Sequence, residues 1–141
     1  MKHLITALFL LSTVLAAVAQ SPVGVWKTID DKDGKVKSHI NITEVDGKLY
    51  GSIAKLIDPE REVCTACKGD KQNQPLIGMQ ILWDLKSDGD QEWSGGSILD
   101  PKNGKTYKCK VELVSETELN VRGFIGFSLL GRTQTWYRVA E

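Results

Sequence analysis

Apolar and polar residues alternate along this chain in short runs, and clusters of turn-forming residues interrupt them at nearly even spacing. Alternation with period two marks a strand with one buried face, and no segment of any length keeps the helical period. The pattern predicts a first strand over Val23 to Ile29, a turn at Asp30-Asp31-Lys32-Asp33-Gly34, and a second strand over Lys35 to Val45. Asp46-Gly47 closes a tight hairpin into a third strand, Lys48 to Ile57, because glycine accepts the positive φ of a two-residue turn. Asp58 to Pro75 reads as one long polar loop. A fourth strand is expected over Ile77 to Leu85, with Ile77, Met79, Ile81, Trp83 and Leu85 on one face, and a fifth over Glu92 to Leu99. The sixth has the clearest pattern: Tyr107, Cys109, Val111 and Leu113 alternate with Lys108, Lys110, Glu112 and Val114. Glu118 to Ile125 and Arg132 to Val139 complete eight.

Eight strands joined mostly by short hairpins favour an all-β, up-and-down antiparallel barrel, since closure removes the edges that invite aggregation. A barrel of this size can enclose one small ligand. A two-sheet sandwich is the alternative, but its longer crossovers find room only at Asp58 to Pro75.

The N-terminus changes the setting. Met1-Lys2-His3 is followed by an apolar run from Leu4 to Val18 and by small residues at Ala17-Val18-Ala19. That order predicts a signal peptide over residues 1–19, cleaved after Ala19, and one domain over residues 20–141. The run is shorter than the roughly 20 residues needed to span a bilayer, so no transmembrane segment is expected. The expected location is periplasmic or secreted. Across the chain 18 Lys and Arg balance 18 Asp and Glu, with no basic cluster, which argues against nucleic acid as a partner.

Several motifs occur in order along the chain: Gly24-Val25-Trp26, Asp46-Gly47-Lys48-Leu49-Tyr50-Gly51, Trp93-Ser94-Gly95-Gly96, Asp100-Pro101 with Gly104-Lys105-Thr106-Tyr107, Val121-Arg122-Gly123-Phe124, and Gly131 to Arg138. Together they resemble the secreted bacterial family known as domain of unknown function 2147. The resemblance implies a calycin-like barrel, the architecture of lipocalins and streptavidin, in a protein of the bacterial envelope or exterior. It also implies that Gly24 and Trp26 of the first strand pack beneath Arg138 of the last, closing one end.

Candidate chemistry is sparse. Cys64-Thr65-Ala66-Cys67 reads first as a disulfide stapling a polar loop in an oxidising compartment, with a redox pair or a metal site as alternatives. Lys68-Gly69-Asp70 breaks any helix that would lower a thiolate pKa, and a zinc site would have to recruit Cys109 and His39. Cys109 is expected to be a buried free thiol. His39, the one histidine after the signal, falls on the polar face with Lys37, Asn41 and Thr43. Asp31-x-Asp33-Gly34 lacks the later glutamate of a calcium loop. No nucleophile elbow, phosphate loop or metalloprotease helix occurs, so no catalytic residue, cofactor or metal is assigned and an enzyme is not expected.

The expectation is therefore a module that binds a small apolar or amphipathic molecule, with Trp83, Trp93 and Phe124 as wall candidates and Arg122, Arg132 and Gln134 as polar anchors. In the last strand Arg132, Gln134, Trp136 and Arg138 share one face, so an inward Trp136 would bring polar neighbours inward. The alternative is a solid barrel whose apolar segment, Phe124 to Leu130, docks an envelope protein.

Overall fold

Alternating runs that cannot bury a face alone pair in sequence order and close on themselves. The computed structural model describes residues 14, 20–127 and 129–140, so the predicted signal segment, residue 14 aside, lies outside the described residues. Its strands are β1 (Gly24–Ile29), β2 (Val36–Val45), β3 (Lys48–Leu56), β4 (Gln80–Ser87), β5 (Glu92–Asp100), β6 (Lys105–Leu113), β7 (Glu118–Phe124) and β8 (Gly131–Arg138). Each pairs antiparallel with the next, and β8 returns to β1, giving a closed eight-stranded up-and-down barrel. The only helix among the described residues is one 3-10 turn, Gly69–Lys71, within the long loop. No helix there is long and apolar enough to cross a membrane.

The inward faces carry Trp26, Ile40, Ile42, Leu49, Leu82, Leu85, Val111, Leu119 and Trp136, all essentially inaccessible to solvent. Three close backbone approaches are made possible by missing side chains. At Gly51 a Cβ would press on Leu82 and Ile40, and at Gly96 it would strike the Trp83 carbonyl. At Gly104 it would strike the Ala66 carbonyl, so the β5–β6 turn sits directly against the 58–75 loop.

That loop is held as the cysteine spacing suggested. Cys64 and Cys67 form a disulfide, and the backbone N–H of Cys64 donates to Gln74 while Asn73 donates back to Cys64. Both cysteines are buried.

The fourth strand departs from simple alternation. Ile77 is 58% exposed, and β4 starts only at Gln80, after Gly78 has turned with φ +86°. Asp84 takes φ +60° and the register with β3 slips there, so one residue is extruded. Leu82 and Leu85 therefore both point inward, and Trp83, expected on the Leu85 face, pairs with Ser97 on the outer one. A bulge reverses parity along a strand, and alternation cannot register it.

Candidate functional site

Up-and-down order places the β1–β2, β3–β4, β5–β6 and β7–β8 connections at one end of the barrel and both described termini at the other. The terminal end is shut. The guanidinium of Arg138 lies 4.3 Å from the centre of the Trp26 ring. It donates to the carbonyls of Glu116 (2.5 Å), Val23 (2.8 Å) and Ser21 (2.7 Å). The Trp26 indole N–H donates to Pro22 (2.8 Å). Gly24, with φ +139°, leaves the room: a Cβ there would stand 2.5 Å from Arg138 Nη1.

The opposite end is hollow. A cavity of about 910 Å³ opens among the four loops, within the range of small-molecule sites. Ile53, Leu56, Ile98 and Val121 give it apolar walls, and Trp136 lies at its inner limit. The Trp136 indole N–H is satisfied by Gln134 Oε1 (3.3 Å), whose own amide reaches Asp31 Oδ2 (3.4 Å). Asp31 also accepts from Arg132 (3.1 Å). The polar neighbours that an inward Trp136 brings are thus partnered rather than orphaned. Tyr107 and Asn103 are joined at 2.9 Å, and Thr28 and Ser38 at 2.8 Å, on the same lining.

Asp30 and Lys102 form a further ion pair, 3.2 Å, between the β1–β2 and β5–β6 loops. β1 and β5 stand four strands apart in an eight-stranded ring, so this contact reaches across the mouth. The backbone N–H of Lys32 and then the Lys102 ammonium hold the Asp30 carboxyl below its ordinary pKa.

Of the residues singled out from the sequence, Phe124, Arg132 and Gln134 lie on this lining, and Trp83, Trp93 and Arg122 do not. Phe124 belongs to the rim, paired with Lys108. Trp83 sits on the outer wall with Lys71 over its ring at 5.2 Å. Trp93 pairs with Ser87 and Val111 near the shut end. Arg122 is on the outer face, donating to Thr133 (3.1 Å). Sequence reasoning weighed Asp31 only as part of a calcium loop and passed over Asp30 and Lys102, whose association depends on which loops share an end; the turn composition of those two was the only signal. Among the described residues no group of three His, Cys, Asp or Glu is placed to hold a metal.

His39 pairs with Lys27 on β1 and Lys55 on β3. Partial burial and then those two lysines push its pKa below 6.5. Cys109 is free and buried, and burial pushes its thiol pKa up to about 12.

The family described as "uncharacterized protein conserved in bacteria (DUF2147)" matches residues 24–138, the whole barrel. Among solved structures, protein HP1028 from the human pathogen Helicobacter pylori, described as belonging to the lipocalin family, superposes with a TM-score of 0.77 at 23% identity. The match covers 87% of this chain and 86% of that one, and at this identity it speaks for the fold. No curated protein matches the chain.

Proposed function

We propose that this chain, which belongs to the bacterial family DUF2147, is an exported binding protein that holds one small apolar or amphipathic molecule in the open end of its barrel. The observation that carries this reading is the hollow of about 910 Å³ with apolar walls and a polar rim. It favours binding over the solid-barrel alternative. Walls such as Ile53, Leu56 and Ile98 gain by excluding water from an apolar body, and the Asp31, Arg132 and Gln134 cluster offers hydrogen bonds to a polar head.

A binding role rather than an enzymatic one is supported by where the reactive groups lie. His39 is on the outer wall between two lysines, and Cys109 is held as an inert thiol away from the cavity lining. Export accords with the Cys64–Cys67 disulfide, which persists in an oxidising compartment.

Native mass spectrometry of purified protein, before and after organic extraction, tests the reading. A retained small molecule that extraction removes, and a vacated site that then takes up N-phenyl-1-naphthylamine, is the expected result. Protein that carries nothing and takes up no apolar fluorophore would sink it.

A further inference from the structure

β1 and β8 complete the barrel along only part of their length. Among the described residues their ladder consists of Trp26 with Arg138 and Lys27 with Tyr137, next to the shut end. β8 runs on toward the mouth from Trp136 to Gly131, and every residue of that stretch pairs with β7 and none with β1. The cause lies on β1, whose register with β2 shifts between Thr28 and Ile29, just beyond the last residue that pairs with β8. A bulge there turns the strand away and ends its pairing.

The wall therefore has a gap on the mouth side of Lys27 and Tyr137. Thr28 and Ile29 on one lip, and Gly131, Arg132, Gln134 and Trp136 on the other, all line the cavity, so the hollow reaches the gap. Side chains span it: Asp31 accepts from Arg132 (3.1 Å) and from Gln134 (3.4 Å), and Gln134 accepts from Trp136 (3.3 Å).

The β1–β2 turn that carries Asp31 is anchored unequally. On its far side the Asp30 carboxylate, 9% exposed, meets Lys102 across the mouth (3.2 Å) and accepts from the backbone N–H of Lys32 (2.7 Å). On the β8 side Asp31 and Arg132 are 48% and 66% exposed, so water competes for both and the pair holds weakly. The turn is fixed toward β5–β6 and loosely latched toward β8.

We infer that a molecule reaches the cavity sideways, through the gap between β1 and β8, with Asp31, Arg132 and Gln134 as the latch and the Asp30–Lys102 pair as the fixed anchor. This route rests on the binding role proposed above. Rotation of the latch side chains opens it without breaking a strand pair, whereas entry over the top of the mouth must break the better-shielded tie at Asp30.

Stopped-flow uptake of N-phenyl-1-naphthylamine by the chain from Gln20 onward, which holds every strand and the disulfide, tests the route. Asp31→Cys with Arg132→Cys is treated with bismaleimidoethane to bridge the latch, or with N-ethylmaleimide to cap each thiol separately. Asp30→Cys with Lys102→Cys, treated in the same two ways, bridges the anchor. Cys64 and Cys67 are joined and Cys109 is buried, so the introduced thiols are the ones that react, and circular dichroism confirms the fold. Bridging the latch should slow association about ten-fold or more relative to capped protein and slow dissociation with it, the mark of a path rather than a contact. Bridging the anchor should change association by less than about two-fold. Asp31→Ala, which needs no cross-link, should speed association by roughly two- to five-fold.

Latch-bridged protein that takes up the probe as fast as capped protein overturns the side route, as does an anchor bridge that slows uptake as much as the latch bridge. An unchanged rate in Asp31→Ala overturns the latch. Wild type that takes up no probe at equilibrium overturns the binding role and the route with it, whereas normal equilibrium uptake at rates indifferent to the latch bridge overturns the route alone.

Discussion

Replacing Arg138 with alanine should destabilise the barrel by about 2–3 kcal/mol. The guanidinium makes three hydrogen bonds to carbonyls, on Glu116, Val23 and Ser21, and stacks on Trp26 at 4.3 Å. Because Arg138 is only partly buried, water can reach the released carbonyls, and each bond is taken at about 0.5–0.8 kcal/mol rather than the full value for a charged donor. The stacked cation adds about 0.5–1 kcal/mol. For a barrel of this size that total lowers the thermal midpoint by about 10 °C, read by far-ultraviolet circular dichroism. Arg138→Lys keeps the charge but has no planar fork to bridge three carbonyls, and should recover at most about half of the loss. Gly24→Ala should be costly too, since its Cβ would lie 2.5 Å from Nη1 and its φ of +139° suits only glycine. In the double variant the clash is gone and only the backbone strain remains, so the two losses should add to less than their sum. An Arg138→Ala protein melting within about 2 °C of wild type, or strict additivity with Gly24→Ala, would refute this account of the shut end.

Cys109 should resist iodoacetamide at pH near 8 in the native protein, because burial holds its thiol pKa at about 12, and should alkylate fully once guanidinium unfolds the chain; fast native labelling would count against its burial. Breaking the Cys64–Cys67 bridge, by reductant or by a double alanine variant, closes no large loop and should cost about 2 kcal/mol, with the same thermal midpoint by either route. The folded pKa of His39 lies below its ordinary 6.5, so its contribution is present above that pH and is lost as pH falls through the folded value; His39→Gln should flatten the acid side of a stability–pH curve, from about pH 6.5 downward, and leave the alkaline side unchanged. Gly123→Val builds a side chain into the cavity, where the Cβ would meet Ile98 at 3.4 Å and Tyr107 at 3.5 Å, at a position outside the left-handed region; uptake of N-phenyl-1-naphthylamine should fall about five-fold with the thermal midpoint nearly kept, and unchanged uptake would remove this cavity from the binding reading.

Barrel topology was legible because it depends on local signals. β6 alternates Tyr107, Cys109, Val111 and Leu113 against lysines and glutamate, and Asp46-Gly47 marks a hairpin without ambiguity. The pairing of Trp26 with Arg138 followed from the family resemblance, not from periodicity. What stayed hidden depends on register. The extruded Asp84 sends Leu82 and Leu85 to one face and Trp83 to the other, so an aromatic chosen as wall became exterior. Trp93 has an inward partner in Val111, yet it lies at the wrong height in the barrel to meet the cavity. Height around a closed sheet is a global quantity, set by eight pairings together. Asp30 and Lys102 illustrate the same limit, since 72 residues separate two turn-rich loops that the ring brings together.

The two ends do different physical work, and Trp136 is the boundary between them. Below it Trp26, Ile40, Ile42, Leu49 and Leu119 fill the interior, and Arg138 caps it. Above it the space is open, and the β1–β2 loop is tied over it by Asp30 to Lys102 and by Asp31 to Arg132 and Gln134. The tie at Asp31 is exposed on both partners and is weak and replaceable, whereas the Asp30 carboxylate, 9% exposed, is held more firmly to the exposed Lys102. On the proposed reading an entering molecule meets this polar strap before it meets the apolar wall. A wholly apolar molecule would break the ties without replacing them, whereas an amphipathic one can substitute its head for the partner lost. The geometry therefore favours the amphipathic member of the two ligand classes, with its apolar part toward Trp136 and its head at Asp31 and Arg132.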